Sequence, residues 1–286
     1  MLIPIPGFMS VSSPGVLVAG TGEAARQLAR VLNNQLANYT QQGSVKNRLG
    51  FFGALTDFQD VNGTVSEIEY LFKTQKRAVG VIVYTSYGGK LLGHPDFIPI
   101  WDSLQKYKAL VFLHPSVLDV TPKYIGPSLP QPIVDYPLAT TRAAVDLVLT
   151  GRFRTVPDVD IILAHAGGTI PFIASRAINA LALPEISGHS NVGLVQAKSD
   201  FARFYYDIAL STSEAQLDGL LDFAQHDHIV FGSDFPYVPQ KGIDAVVAAY
   251  EKFVATNSRG NEIGPGQLRN NAVRLLKKHT PHLHYQ

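Results

Sequence analysis

The chain has no cysteine, which excludes disulfides and thiolate chemistry; at 286 residues it can hold a core without covalent staples. It has no excess charge either. With 24 Lys and Arg against 23 Asp and Glu, the formal net charge of +1 supplies no basic field for nucleic acid or an anionic membrane. No apolar run approaches the ~20 residues of a membrane helix. The start lacks a basic segment and is broken by Pro4, Pro6 and Gly7, so it makes a poor signal peptide. These absences point to a cytoplasmic protein with a small-molecule ligand. A last absence is of histidine: none occurs before His94.

With 46% hydrophobic and 16% charged residues, the chain can bury a sizeable core, and residues 1–286 are expected to form one domain. Short β-rich runs alternate with amphipathic stretches, the pattern of βα units around a parallel sheet. Strands are expected at 8–12, 49–55, 79–84, 110–114, 159–165, 204–210 and 228–234. Helices are expected at 23–41, 65–74, 97–107, 136–149, 169–181 with Thr169 as cap, 214–224, 243–254 and 265–276. That is one strand short of a (β/α)8 TIM barrel. The long proline-rich loop from Ser116 to Asp135 is expected to cover a site.

Barrel enzymes assemble their sites at the C-terminal ends of strands. Three apolar runs here close on polar residues: Val111-Phe-Leu-His114, Ile161-Ile-Leu-Ala-His165 and Ile229-Val-Phe-Gly-Ser-Asp234. Any one alone is better explained as a strand-end residue held by backbone, but three together favour a site. Two imidazoles and a carboxylate suit zinc, manganese or iron and leave a coordination position open.

These motifs, with Gly50-Phe-Phe-Gly-Ala-Leu55, Leu129-Pro-Gln-Pro-Ile-Val-Asp-Tyr-Pro137 and His165-Ala-Gly-Gly-Thr-Ile-Pro171, resemble amidohydrolase family 2 across almost the whole chain. That family includes aminocarboxymuconate-semialdehyde decarboxylase-like enzymes, and the resemblance is nearest its fungal 6-methylsalicylate branch. It implies a barrel of the metal-dependent hydrolase type, a divalent metal (zinc or manganese), a homodimer and a carboxy-lyase of secondary metabolism. The substrate it implies is an aromatic acid with an ortho hydroxyl. His114, His165 and Asp234 would hold the metal, with His165 alternatively an acid/base, and Asp234 would protonate the ring carbon from which carbon dioxide leaves.

The family's His-x-His pair from strand one has no counterpart here, and the first unit resembles the family's second. The reading therefore expects a chain shortened at its start, without strand 1. It leaves open a lactone or amide hydrolase on the same scaffold, and an inactive shortened homologue.

Phe52, Tyr84 and Phe235 are candidate pocket walls, although core packing explains each singly. His94 is expected in a loop or cap, Gly167 and Gly168 in a tight turn, Arg176 in a structural salt bridge, and His279, His282 and His284 in a disordered tail.

Overall fold

The computed structural model describes residues 7–46 and 48–283. Its elements run β1 (Gly7–Ser10), α1 (Glu23–Tyr39), β2 (Leu49–Gly53), α2 (Val61–Thr74), β3 (Ala78–Tyr84), a hairpin of β4 (Ser86–Tyr87) and β5 (Lys90–Leu91), α3 (Ile98–Lys106) and β6 (Leu110–His114). There follow α4 (Asp135–Leu149), α5 (Arg152–Thr155), β7 (Asp160–Leu163), α6 (Ile170–Ala180), α7 (Pro184–Ser187), α8 (Leu194–Phe201), β8 (Tyr205–Asp207), α9 (Glu214–Phe223), β9 (Ile229–Val230), α10 (Gln240–Thr256) and α11 (Pro265–His279).

All seven expected strands form, and they pair in parallel in the order β1-β2-β3-β6-β7-β8-β9. Successive parallel neighbours joined through helices are the arrangement of a (β/α) barrel. Among the described residues the sheet has β1 at one edge and β9 at the other.

Side chains alternate across each strand, and burial separates the two faces. Val81, Val83, Val111, Leu113, Ile161 and Leu163 are completely buried, whereas Ile82, Tyr84, His114, Ile162 and Tyr205 on the other face keep a few per cent of exposure. The register aligns Tyr84 with His114 and Ile82 with Phe112 on that second face. Gly80 is needed where β3 passes β6, since a Cβ there would lie 2.1 Å from the Leu110 carbonyl oxygen.

Helix α2 begins at Val61, ahead of the expected residue 65, because Asp60 caps it by accepting the Gly63 N–H at 3.1 Å. Helix α8 was not expected; Leu194–Phe201 is short and buries only Ala197, Asp200 and Phe201. His279 and His282 are not part of a loose tail. His279 Nε2 lies 2.8 Å from the carboxylate of Asp160, the first residue of β7, and its Nδ1 lies 2.7 Å from the Lys108 carbonyl. Lys278 adds a 2.6 Å bond to the same carboxylate, so α11 is fastened to the N-terminal end of the sheet. His282 bonds the Lys76 carbonyl at 3.0 Å; His284 lies outside the described residues. No described helix is long and apolar enough to cross a membrane.

Candidate metal centre

His114 closes β6 because the apolar run Leu110–Leu113 is drawn into the core and carries its last residue to the strand end. Its Nδ1 lies 2.7 Å from the Pro115 carbonyl. A carbonyl only accepts, so Nδ1 carries the hydrogen and Nε2 is left with a free lone pair. Burial, and then the neighbouring His165 imidazole, push the ring down to about 4 against the opposing Pro115 bond. The ring is therefore a neutral donor at ordinary pH.

His165 lies two residues beyond β7. Its N–H donates to Asp207 at 3.0 Å, and its Nδ1 is 3.1 Å from the Ala209 carbonyl. Asp234 lies four residues beyond β9, where its carbonyl accepts the Val238 N–H at 3.1 Å. Burial raises its carboxyl; His165 opposes that rise and Asp207 adds to it. His165, Ala166 and Asp234 all have left-handed backbone, with φ of 58°, 55° and 59°. Such conformations cost about 1–3 kcal/mol each in non-glycine residues and concentrate at functional sites.

The three elements bring one ligand atom each from His114, His165 and Asp234 within 4.8 Å of one another, the one such group among the described residues. Two imidazoles and a carboxylate suit a divalent transition metal, and a neutral His114 with an outward lone pair fits that use.

Some of the surrounding residues stand as expected and others do not. Phe52 packs on Phe112 with centroids 5.4 Å apart, and Tyr84 donates its hydroxyl to the Val11 carbonyl at 3.0 Å. Phe235 is 62% exposed. Tyr136, at the start of α4, meets Ser13 at 3.3 Å through their hydroxyls. His94 caps a short 3-10 turn by accepting the Asp96 N–H at 3.2 Å, as expected. Gly167 and Gly168 take the tight turn (φ 71° and 67°), and a Cβ at Gly168 would lie 2.0 Å from the Pro137 carbonyl oxygen. Thr169 stands at the N-cap position of α6 as expected, but its side chain makes no cap bond; its N–H and hydroxyl both meet the Thr141 hydroxyl at 2.8 Å. Arg176 is exposed and makes none of the described ion pairs. The loop after β6 folds on itself, with the Gln131 amide bonding the Leu118 backbone at 3.1 and 2.8 Å and residues 121–130 exposed.

Asp207 is the residue that strand reading missed. Read as a strand over 204–210, the segment places Asp207 mid-run; the strand in fact stops at Asp207. It is a fourth polar residue closing a strand, buried at the base of the site.

The amidohydrolase profile matches residues 9–278. The chain is 37% identical to the 6-methylsalicylic acid decarboxylase of Aspergillus aculeatus, over 94% of this chain and 81% of that protein. It is 39% identical to the 6-methylsalicylic acid decarboxylase of Penicillium expansum, over 82% of this chain and 71% of that one. Among solved structures, a dihydroxybenzoic acid decarboxylase from a Polaromonas species, with bound manganese and the inhibitor 2-nitroresorcinol, superposes with a TM-score of 0.74 at 22% identity, covering 96% of this chain and 82% of that one. That likeness concerns the fold.

Proposed function

The chain belongs to the amidohydrolase family, and from that premise we propose that it catalyses the metal-dependent, non-oxidative decarboxylation of an ortho-hydroxylated benzoate of the 6-methylsalicylate type. The observation that carries the proposal is the convergence of His114, His165 and Asp234 within 4.8 Å at the strand ends. The two decarboxylases that are 37% and 39% identical to this chain over the matched regions support the reaction class.

His114, through its free Nε2, and Asp234, with His165 as a further donor, would hold a divalent ion, manganese or zinc. When bound, the ion supplies Lewis-acid stabilisation of the charge on the substrate's carboxylate and hydroxyl oxygens.

The chain's own groups then account for the proton. Asp234, whose carboxyl converges with both imidazoles at the strand ends, is the acid placed to supply it. Asp234 delivers that proton to the ring carbon bearing the carboxylate. The bond from that carbon to the carboxylate then breaks, carbon dioxide leaves, and the bonding electrons restore the aromatic ring. Asp234 is left ionised and is reprotonated from solvent. Neutral His114 adds no competing positive charge, because its own titration lies near 4.

Exposed Leu138, Phe172 and Ile173 on neighbouring α4 and α6 support a homodimer. The test of function uses the metal-stripped chain reloaded with manganese or zinc and a panel of benzoates with and without the ortho hydroxyl. Release of carbon dioxide confined to ortho-hydroxylated members supports the proposal. No release from any of them with either metal overturns it.

A further inference from the structure

Asp207 has no part in the chemistry above, yet its carboxylate is held at the centre of the site's scaffold. One oxygen, Oδ1, accepts two backbone hydrogen bonds, from the N–H of His165 at 3.0 Å and from that of Ala209 at 2.9 Å. The second bond closes a local turn that aims the Ala209 carbonyl at the His165 ring, 3.1 Å from Nδ1. Because a carbonyl oxygen accepts and never donates, that contact requires the hydrogen to be on Nδ1. The three contacts form a closed loop in which Asp207 holds the His165 backbone directly and its ring through Ala209.

The chain around this loop does not hold its shape unaided. His165, Ala166 and Leu210 all have left-handed backbone, with φ of 58°, 55° and 55°, conformations that persist only where neighbours over-determine them. On the other side, a Cβ at Gly232 would come within 3.0 Å of the Asp207 carboxyl carbon, so the segment leading to Asp234 runs directly against the same group. Asp207 itself is not among the residues whose ligand atoms converge. It touches the machinery and is not part of it.

We infer that Asp207 is a positioning residue that fixes His165 as its Nδ1–H tautomer and so presents Nε2 to the metal and substrate. Its effect on turnover rests on the decarboxylase reading; its effect on the tautomer does not. An orienting acceptor behind a histidine is worth about 10–100-fold in activity or metal affinity. The carboxylate's role here is as a shared acceptor, so asparagine, which keeps a carbonyl oxygen in the same place, preserves it and alanine does not.

The decisive experiment is two-bond 1H–15N correlation NMR on the chain labelled at histidine nitrogen, with His165→Asn identifying the His165 signals. The wild type and Asp207→Asn give the Nδ1–H pattern at His165, and Asp207→Ala gives a mixture of tautomers. An Nε2–H pattern in the wild type, or an unchanged Nδ1–H pattern in Asp207→Ala, overturns the inference. If the alanine variant does not fold, the asparagine variant decides, since an Nε2–H pattern there is equally fatal.

Kinetics test the coupling. Asp207→Ala lowers kcat by about 100-fold with KM changed less than about threefold, while in a His165→Asn background the same substitution costs less than about threefold. Equal losses in both backgrounds show that Asp207 does not act through His165. A wild-type chain that releases no carbon dioxide contradicts the decarboxylase reading alone and leaves the tautomer measurement to judge Asp207.

Discussion

The rings of His114 and His165 meet edge to face with their centroids 5.5 Å apart, so a charge on either ring is felt by the other. Burial and this neighbour hold His114 down to about 4, whereas the unfolded chain titrates near 6.5. As pH falls, the unfolded state therefore takes up its proton first. In the metal-free protein this predicts stability that is full above about pH 6.5 and lost between there and about pH 4, by about 3 kcal/mol at most. His114→Asn flattens that part of the curve; urea unfolding across the range checks it.

Removing a donor should remove the metal. His114→Ala and Asp234→Asn are expected to retain less than about a tenth of the wild type's manganese after dialysis, and to lose at least about 100-fold in kcat/KM. Plasma mass spectrometry beside carbon dioxide release reads both.

At the opposite end of the sheet, Asp160 ties β7 to α11. Burial alone would raise its carboxyl, but hydrogen bonds from His279 and Lys278 outweigh that and hold it below its ordinary range. A depressed carboxyl contributes stability above the unfolded value near 3.9 that is lost as pH falls through the folded one. His279→Ala should cost about 2 kcal/mol at pH 7, and the deficit should shrink below pH 4 as Asp160 protonates in both proteins. Denaturant titrations at the two pH values settle this.

Gly168→Ala combines a positive φ with a Cβ 2.0 Å from the Pro137 carbonyl oxygen. It should destabilise the fold by at least about 2 kcal/mol and, because Gly168 is three residues beyond His165, weaken manganese binding as well. Calorimetry of unfolding and of metal binding measures the two effects.

The strands and the three convergent side chains were legible because they depend on local pattern. An apolar run such as Leu110–Leu113 must be buried, and the residue that ends it is carried to the strand's end. Asp207 was not legible because strand length is set by pairing. Tyr205–Asp207 stops where the Asp207 side chain takes the N–H of Ala209, and the apolar run Ile208–Leu210 conceals that stop. His279 was hidden for a related reason. Its partners, Asp160 and Lys108, are over a hundred residues away in sequence, so nothing near the C-terminus distinguished it from a polar tail. Thr169 looks like a cap by position, but Thr141, 28 residues earlier, supplies the bonds its backbone needs.

The proposed decarboxylation turns on Asp234 placing a proton on the ring carbon from which carbon dioxide departs. The measurement is to run the manganese-loaded chain on 6-methylsalicylate in deuterium oxide and locate the label in the product. The account predicts 3-methylphenol with a single deuterium between the hydroxyl and the methyl group, formed by the wild type and at least about 100-fold more slowly by Asp234→Asn. Unchanged substrate, label elsewhere in the ring, or undiminished turnover by Asp234→Asn would contradict it.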